Sequence, residues 1–113
     1  MLLADVVTAS REVTATRSRK AKVEILAGCL AAAPPEEREI AASYLAGSLL
    51  QRRTGLGWRG VSTLPAPATT PTLTLAEVHD HFERLSALAG PGSQQARAAL
   101  VRDLFGRATA EEQ

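Results

Sequence analysis

The sequence predicts an all-α domain. Apolar residues recur every three to four positions through most of the chain. No alternating run of β-branched and polar residues is long enough for a strand. Helix start and stop residues stand at the ends of the periodic segments, among them Ser18, Thr74 and Gly90. A length of 113 residues suits one domain. With 45% hydrophobic and 22% charged residues the chain is neither disordered nor collagen-like, and with only 4% aromatic residues its core must be aliphatic.

The first helix is expected over roughly residues 2–15, with Leu3, Val6, Val7, Ser10 and Val13 on one face. Ser18 is placed to cap a second helix whose stripe reads Lys22, Ile25, Leu26, Cys29 and Leu30, ending in Ala31–Ala33. Pro34 and Pro35 stop that helix and suit the first turn of the next, where Glu36, Glu37 and Glu39 complement the helix dipole. The third helix should bury Ile40, Ala41, Tyr44, Leu45, Ser48 and Leu49.

From Gln51 to Thr72, scattered glycines and prolines leave no helical period, and an irregular stretch of this length points to function or linkage. Thr74 and Glu77 then form a capping box for a helix with Leu75, Val78, Phe82, Leu85 and Ala89 on its apolar face. Gly90 is expected as the residue just past its end, with Pro91 blocking continuation. Gly92 and Ser93 open a last helix carrying Leu100, Val101, Leu104 and Phe105, with Gly106 as its stop. Thr109 and Glu112 repeat the Thr-x-x-Glu box close to Gln113, a start signal whose helix body would belong to a longer protein.

Residues that could carry chemistry are few. Cys29 has no partner for a disulfide, which fits a reducing, cytoplasmic compartment, and on its stripe it reads as a small apolar residue. No signal peptide or run of 18 apolar residues is present, so no membrane role is expected. His79 and His81 flank Asp80, but neighbours two apart on a helix point in different directions; no metal site is expected and both read as surface residues. No nucleophile elbow, phosphate-binding loop or zinc-protease motif occurs.

The basic residues are more informative. Thirteen of them against twelve acidic residues give a net charge of +1, which excludes a histone-like polycation but not local patches. Eleven are arginines, whose planar forks suit phosphate. Arg11, Arg17, Arg19, Lys20 and Lys22 form one cluster; Arg52, Arg53 and Arg59 sit among glycines; Arg97, Arg102 and Arg107 lie on or beside the last helix. Gly90-Pro91-Gly92-Ser93-Gln94-Gln95-Ala96-Arg97 could admit a phosphate to a helix N-terminus, although an ordinary serine-capped joint is the simpler reading. Gln51-Arg52-Arg53-Thr54-Gly55-Leu56-Gly57-Trp58-Arg59 could lie along a minor groove, with Trp58 as a loop anchor.

These segments, in this order, resemble the N-terminal DNA-binding domain of ATP-dependent DNA ligases of the bacterial ligase B type. The stretches that carry the resemblance are 1–7, 16–23, 44–47, 51–58, 73–78, 88–94 and 104–113. It implies an all-helical domain that grips duplex DNA through minor-groove and backbone contacts and helps a catalytic core encircle a nick. By the same resemblance the DNA-facing residues are Arg17, Arg19 and Lys22 at the second helix; Arg52, Arg53, Thr54, Gly55 and Gly57 in the loop; and Gly90, Gly92, Ser93, Gln94 and Arg97 at the last joint.

It further implies that a full-length ligase would use ATP and magnesium, with the catalytic core as partner in cis, in replication, repair and recombination. No cofactor is expected for the 113 residues themselves. The family's adenylated Lys-x-Asp-Gly is missing, because the only lysines, Lys20 and Lys22, are not followed by Asp-Gly. The chain is thus expected to bind DNA without joining strands. The alternative is a free-standing helical protein-interaction module, which a weak response to salt would distinguish. A helix-turn-helix regulator over residues 74–105, reading bases with Gln94, Gln95 and Arg97, ranks below both.

Overall fold

The computed structural model describes residues 1–51 and 64–113. Among these residues there are five α-helices and no strand: α1 (Leu3–Ala15), α2 (Arg19–Ala32), α3 (Arg38–Leu45, entered through a 3-10 turn at Pro35–Glu37), α4 (Leu75–Ala87) and α5 (Ser93–Arg107). The all-α expectation holds.

The chain start is strapped down by its backbone. Leu3 N–H donates to the Leu73 carbonyl at 2.8 Å, and Leu75 N–H donates to the Met1 carbonyl at 2.9 Å. The Met1 ammonium donates to Glu37 Oε2 at 3.1 Å. Glu37, expected to serve the dipole of the third helix, is instead only 8% exposed. A buried carboxylate is costly unless paired, and the ammonium supplies the pairing.

Two apolar clusters share Leu3 and Tyr44 at their margins. One holds Val6, Ala33, Ile40, Ala41 and Leu75; the other holds Leu73, Val78, Leu104 and Ala108. Leu73, Leu75 and Leu85 are fully buried, each stabilising the fold by about 1.5–3 kcal/mol. On α1 the buried residues are Val6 and Ala9, whereas Ser10, expected on that face, is exposed. α2 buries no residue completely. Ile25, Leu26, Cys29 and Leu30 are half-buried there, so the stripe is real but faces only one layer of neighbours.

Several expected boundaries move. The third helix stops at Leu45, and Ser48 and Leu49 are exposed beyond it. The stop is a Schellman motif: Gly47, at φ +77°, donates to the Tyr44 carbonyl at 2.9 Å, and Ser48 N–H donates to the Ser43 carbonyl at 2.9 Å. α4 ends at Ala87, so Ala89 lies outside it and Gly90 belongs to the following turn. In that turn Ser93 N–H donates to the Gly90 carbonyl at 3.2 Å, with Pro91 second and Gly92 third at φ +81° and ψ −5°. This is the type II arrangement that Pro-Gly favours. Gly92 is thus the N-cap of α5, and Ser93 is its first helical residue rather than its cap. Gly106 lies inside α5, with Pro65 packed over it, and does not end the helix.

Candidate nucleic-acid interface

The α1–α2 corner is built by two hydroxyl side chains. Ser18 N–H donates to Thr16 Oγ1 at 3.2 Å, and Ser18 Oγ accepts from Ala21 N–H at 3.2 Å, so the serine caps α2 as its position predicts. Around that cap Arg17, Arg19 and Lys20 are exposed, Lys22 is half-buried, and Arg11 is exposed on α1. Among the described residues none of these five makes an ion pair. The first turn of α2 contains no acid. Cations at the positive end of a helix dipole are unfavourable by a few tenths of a kcal/mol each, and an arriving phosphate would relieve that repulsion while taking the open N–H groups.

The Gly90–Arg97 joint is built differently. Gly90, Gly92 and Gln94 are exposed, Ser93 is half-buried, and no side chain caps α5. Arg97 is half-buried, and its Nη2 donates to the Leu88 carbonyl at 2.9 Å, closing the C-terminus of α4. Arg38 does the same work at the end of α2, its Nε donating to the carbonyls of Leu30 at 3.2 Å and Ala33 at 3.3 Å. Arg107 is also engaged, with Glu77 across the helix pair and with Asp103 at 3.9 Å. Arg102 is exposed and makes no ion pair among the described residues.

Arg52, Arg53, Thr54, Gly55 and Gly57, with Trp58 and Arg59, lie outside the described residues. Gln51, just before them, is fastened to α4 by hydrogen bonds from Nε2 to Glu83 and to His79 Nδ1, the latter at 3.3 Å.

Sequence reasoning missed the polar seam between α4 and α5. His81 is 6% exposed, not a surface residue. Its Nδ1 lies 2.8 Å from the Glu77 carbonyl and its Nε2 2.8 Å from Asp103 Oδ2. The ring thus bridges the backbone of its own helix and the Asp103 carboxylate on α5. The signal was available, because position 81 falls three after Val78 and four before Leu85, on the buried stripe of α4. Glu77 makes its capping box with Thr74 and also meets Arg107. The Arg107 guanidinium, then the Thr74 N–H, hold the Glu77 carboxyl below its ordinary range. Burial, then nearby Asp5, pushes the Cys29 thiol up, away from the reactive thiolate.

Among the described residues no three His, Cys, Asp or Glu side chains are grouped to hold a metal, and no helix is long and apolar enough to cross a membrane.

The chain is similar over its whole length to several longer proteins. It is 61% identical over 118 residues to a probable DNA ligase of Nocardioides sp., an alignment covering all of this chain and 23% of that protein. It is 58% identical to a probable DNA ligase of Kineococcus radiotolerans and 47% identical to one of Mycolicibacterium gilvum, again over the whole chain and 23% and 22% of those proteins. It therefore spans less than a quarter of the curated relatives it matches. No solved structure matches it. A family model described as DNA ligase N terminus matches residues 46–113, more than half of the chain, and the chain belongs to that family.

Proposed function

We propose that the chain binds duplex or nicked DNA without regard to sequence, as the N-terminal grip of an ATP-dependent DNA ligase. The observation that carries this reading is the α1–α2 corner, where exposed Arg17, Arg19 and Lys20 surround a helix start with no acid to neutralise them. Cations held against a helix dipole are poorly explained by helix stability and well explained by a phosphate partner. The Gly90–Gly92 turn, with Ser93 and Gln94, offers open backbone as a second contact, and the 52–57 segment a third. Lys22, half-buried, is a supporting residue in this reading, and Arg97, half-buried and bonded to the Leu88 carbonyl, holds the joint rather than the DNA.

The catalytic core of the full-length ligase would act in cis. It would use ATP and magnesium to adenylate itself, pass AMP to the 5′-phosphate of a nick and let the 3′-hydroxyl attack, in replication, repair and recombination in the cytoplasm. The present residues contain no Lys-x-Asp-Gly and contribute binding only.

The test is binding of the chain to nicked duplex across a salt series. Charge reversal of Arg17, Arg19 and Lys20 to Glu together should weaken binding by roughly 100-fold at low salt and flatten the plot of log affinity against log salt by up to about 3. Helical content should not change. Undiminished affinity, or affinity indifferent to salt, would overturn the reading in favour of a protein-interaction module.

A further inference from the structure

Beyond the end of α3 at Leu45, residues 46–50 are all exposed, and Gln51 is the first to be half-buried again. Its side chain is clasped by α4. Gln51 Nε2 donates to Glu83 Oε1 and to His79 Nδ1, the latter at 3.3 Å. His79 and Glu83 stand one turn apart on that helix, with His79 Nε2 3.7 Å from Glu83 Oε1, so together they receive a single amide. The clasp reaches across 28 residues of sequence to His79 and 32 to Glu83.

Stability alone explains this contact poorly. Glu83 is 56% exposed, so water competes for its carboxylate. Gln51 belongs to neither apolar cluster. Its Oε1 is buried and has no hydrogen-bond partner among the described residues. A buried acceptor without a donor costs about as much as a charge-assisted hydrogen bond returns. Turning the amide over would not help, because Oε1 would then face the Glu83 carboxylate, acceptor against acceptor.

What the clasp does fix is place. Arg52 follows Gln51 directly and Arg53 comes next. The rigid peptide unit ties each residue to the one before it, so holding Gln51 on α4 sets the point from which the arginine pair starts. Glu83 is otherwise out of keeping there, since an acid beside arginines that meet phosphate repels the same phosphate.

We propose that Gln51, held by His79 and Glu83, is a positioning residue for DNA binding: it fixes the starting point of Arg52 and Arg53, so that less ordering remains to be done when their guanidinium groups meet the phosphodiester backbone. The proposal rests on the DNA-binding reading above. Glu83 acts through Gln51, and its hold on the amide outweighs the repulsion its charge exerts on DNA.

The two effects of Glu83 move affinity in opposite directions, which makes the proposal testable. Binding to nicked duplex is measured across a salt series, well below the unfolding midpoint of each variant. Glu83→Ala deletes a negative charge, which alone would tighten binding, but it also opens the clasp, and affinity should fall roughly 5-fold. Gln51→Leu should lose a similar factor, with the plot of log affinity against log salt flatter by about 1. The double variant should bind no more weakly than either single one, because both remove the same contact. Glu83→Gln keeps an acceptor for the Gln51 amide without the charge and should bind at least as tightly as the natural chain. Unchanged or tighter binding by Glu83→Ala would overturn the proposal, and because Glu83 is mostly exposed that variant keeps the fold even if Gln51→Leu does not. So would losses that multiply in the double variant, or weaker binding of Gln51→Leu with an unchanged salt slope. The combined Arg17, Arg19 and Lys20 reversal in the same series separates the two readings. If it weakens binding while the Gln51 and Glu83 variants do not, the clasp alone fails; if the natural chain itself ignores salt, both fail.

Discussion

At the α1–α2 corner Arg17, Arg19 and Lys20 stand in water around a serine cap, whereas along the α4–α5 seam Arg97, at the joint, and Arg107, at the opposite end, lie half-buried and engaged. Both places bring two helices together and both carry arginines, and the sequence marks the α1–α2 corner and the joint around Arg97 as places for DNA. Their electrostatics differ because their acids differ. The first turn of α2 has none, while α4 opens with Glu77, and Asp103 on α5 faces His81 and Arg107. The open corner leaves its positive charge unpaired among the described residues, and the α4–α5 seam uses its charge to hold two helices together. Arginine in a sequence cluster is thus ambiguous until its neighbours are known.

The largest effect that would separate the corners comes from removing Arg97. Its bond to the Leu88 carbonyl is partly buried, so Arg97→Ala should destabilise the fold by about 1–3 kcal/mol, seen in a denaturant titration. DNA affinity measured well below the unfolding midpoint should be unchanged. Lost affinity at an unchanged midpoint would show that the guanidinium leaves Leu88 to meet phosphate, and the two corners would then be alike.

The difference between the corners also marks how far the sequence could be read. Caps whose two partners lie within three residues were legible: Ser18 with Ala21, and Thr74 with Glu77. The end of α3 was open to reading, since Gly47 is a common helix stop, but the apolar period running on through Leu49 outweighed it. Gly106 misled in the opposite direction, because a glycine inside a helix is a packing choice against Pro65. Arg97 and Arg107 could not be assigned from sequence at all. Their partners are fixed by the fold, with Leu88 on the far side of a turn and Glu77 30 positions away. Of the expected DNA-facing residues, Arg17 and Arg19 are exposed, while Lys22, Ser93 and Arg97 are half-buried.

A smaller effect concerns the cap of the open corner. Ser18→Asp keeps a side-chain acceptor for Ala21 N–H and adds the acid that the first turn of α2 lacks. It should stabilise the fold by about 0.3–1 kcal/mol through the helix dipole. It should also weaken DNA binding, because the new carboxylate occupies the field that Arg19 and Lys20 offer to phosphate. Stability and affinity therefore move in opposite directions, which thermal melts and a binding titration on the same sample would show. If both rose together, the corner would not be a phosphate site.

The smallest effect belongs to the far end of the α4–α5 seam and reads its charges through pH. Arg107, and then the Thr74 N–H, lower the Glu77 carboxyl from an ordinary value of 4.5. A carboxyl held lower in the folded chain than in the unfolded one binds its proton less readily when folded, so its contribution to stability is fully present above the ordinary value. That contribution is lost as pH falls through the depressed one. Glu77 and Arg107 are both more than a third exposed, so solvent screening keeps the contribution small and added salt should shrink it further. Melting curves of the natural chain and of Glu77→Gln should differ at neutral pH and converge as acid passes about 4.5 and below. Curves that stay parallel through that range would mean that Glu77 acts only as a cap for α4. The α4–α5 seam would then be held by His81, Asp103 and Arg97 without the Arg107 pair.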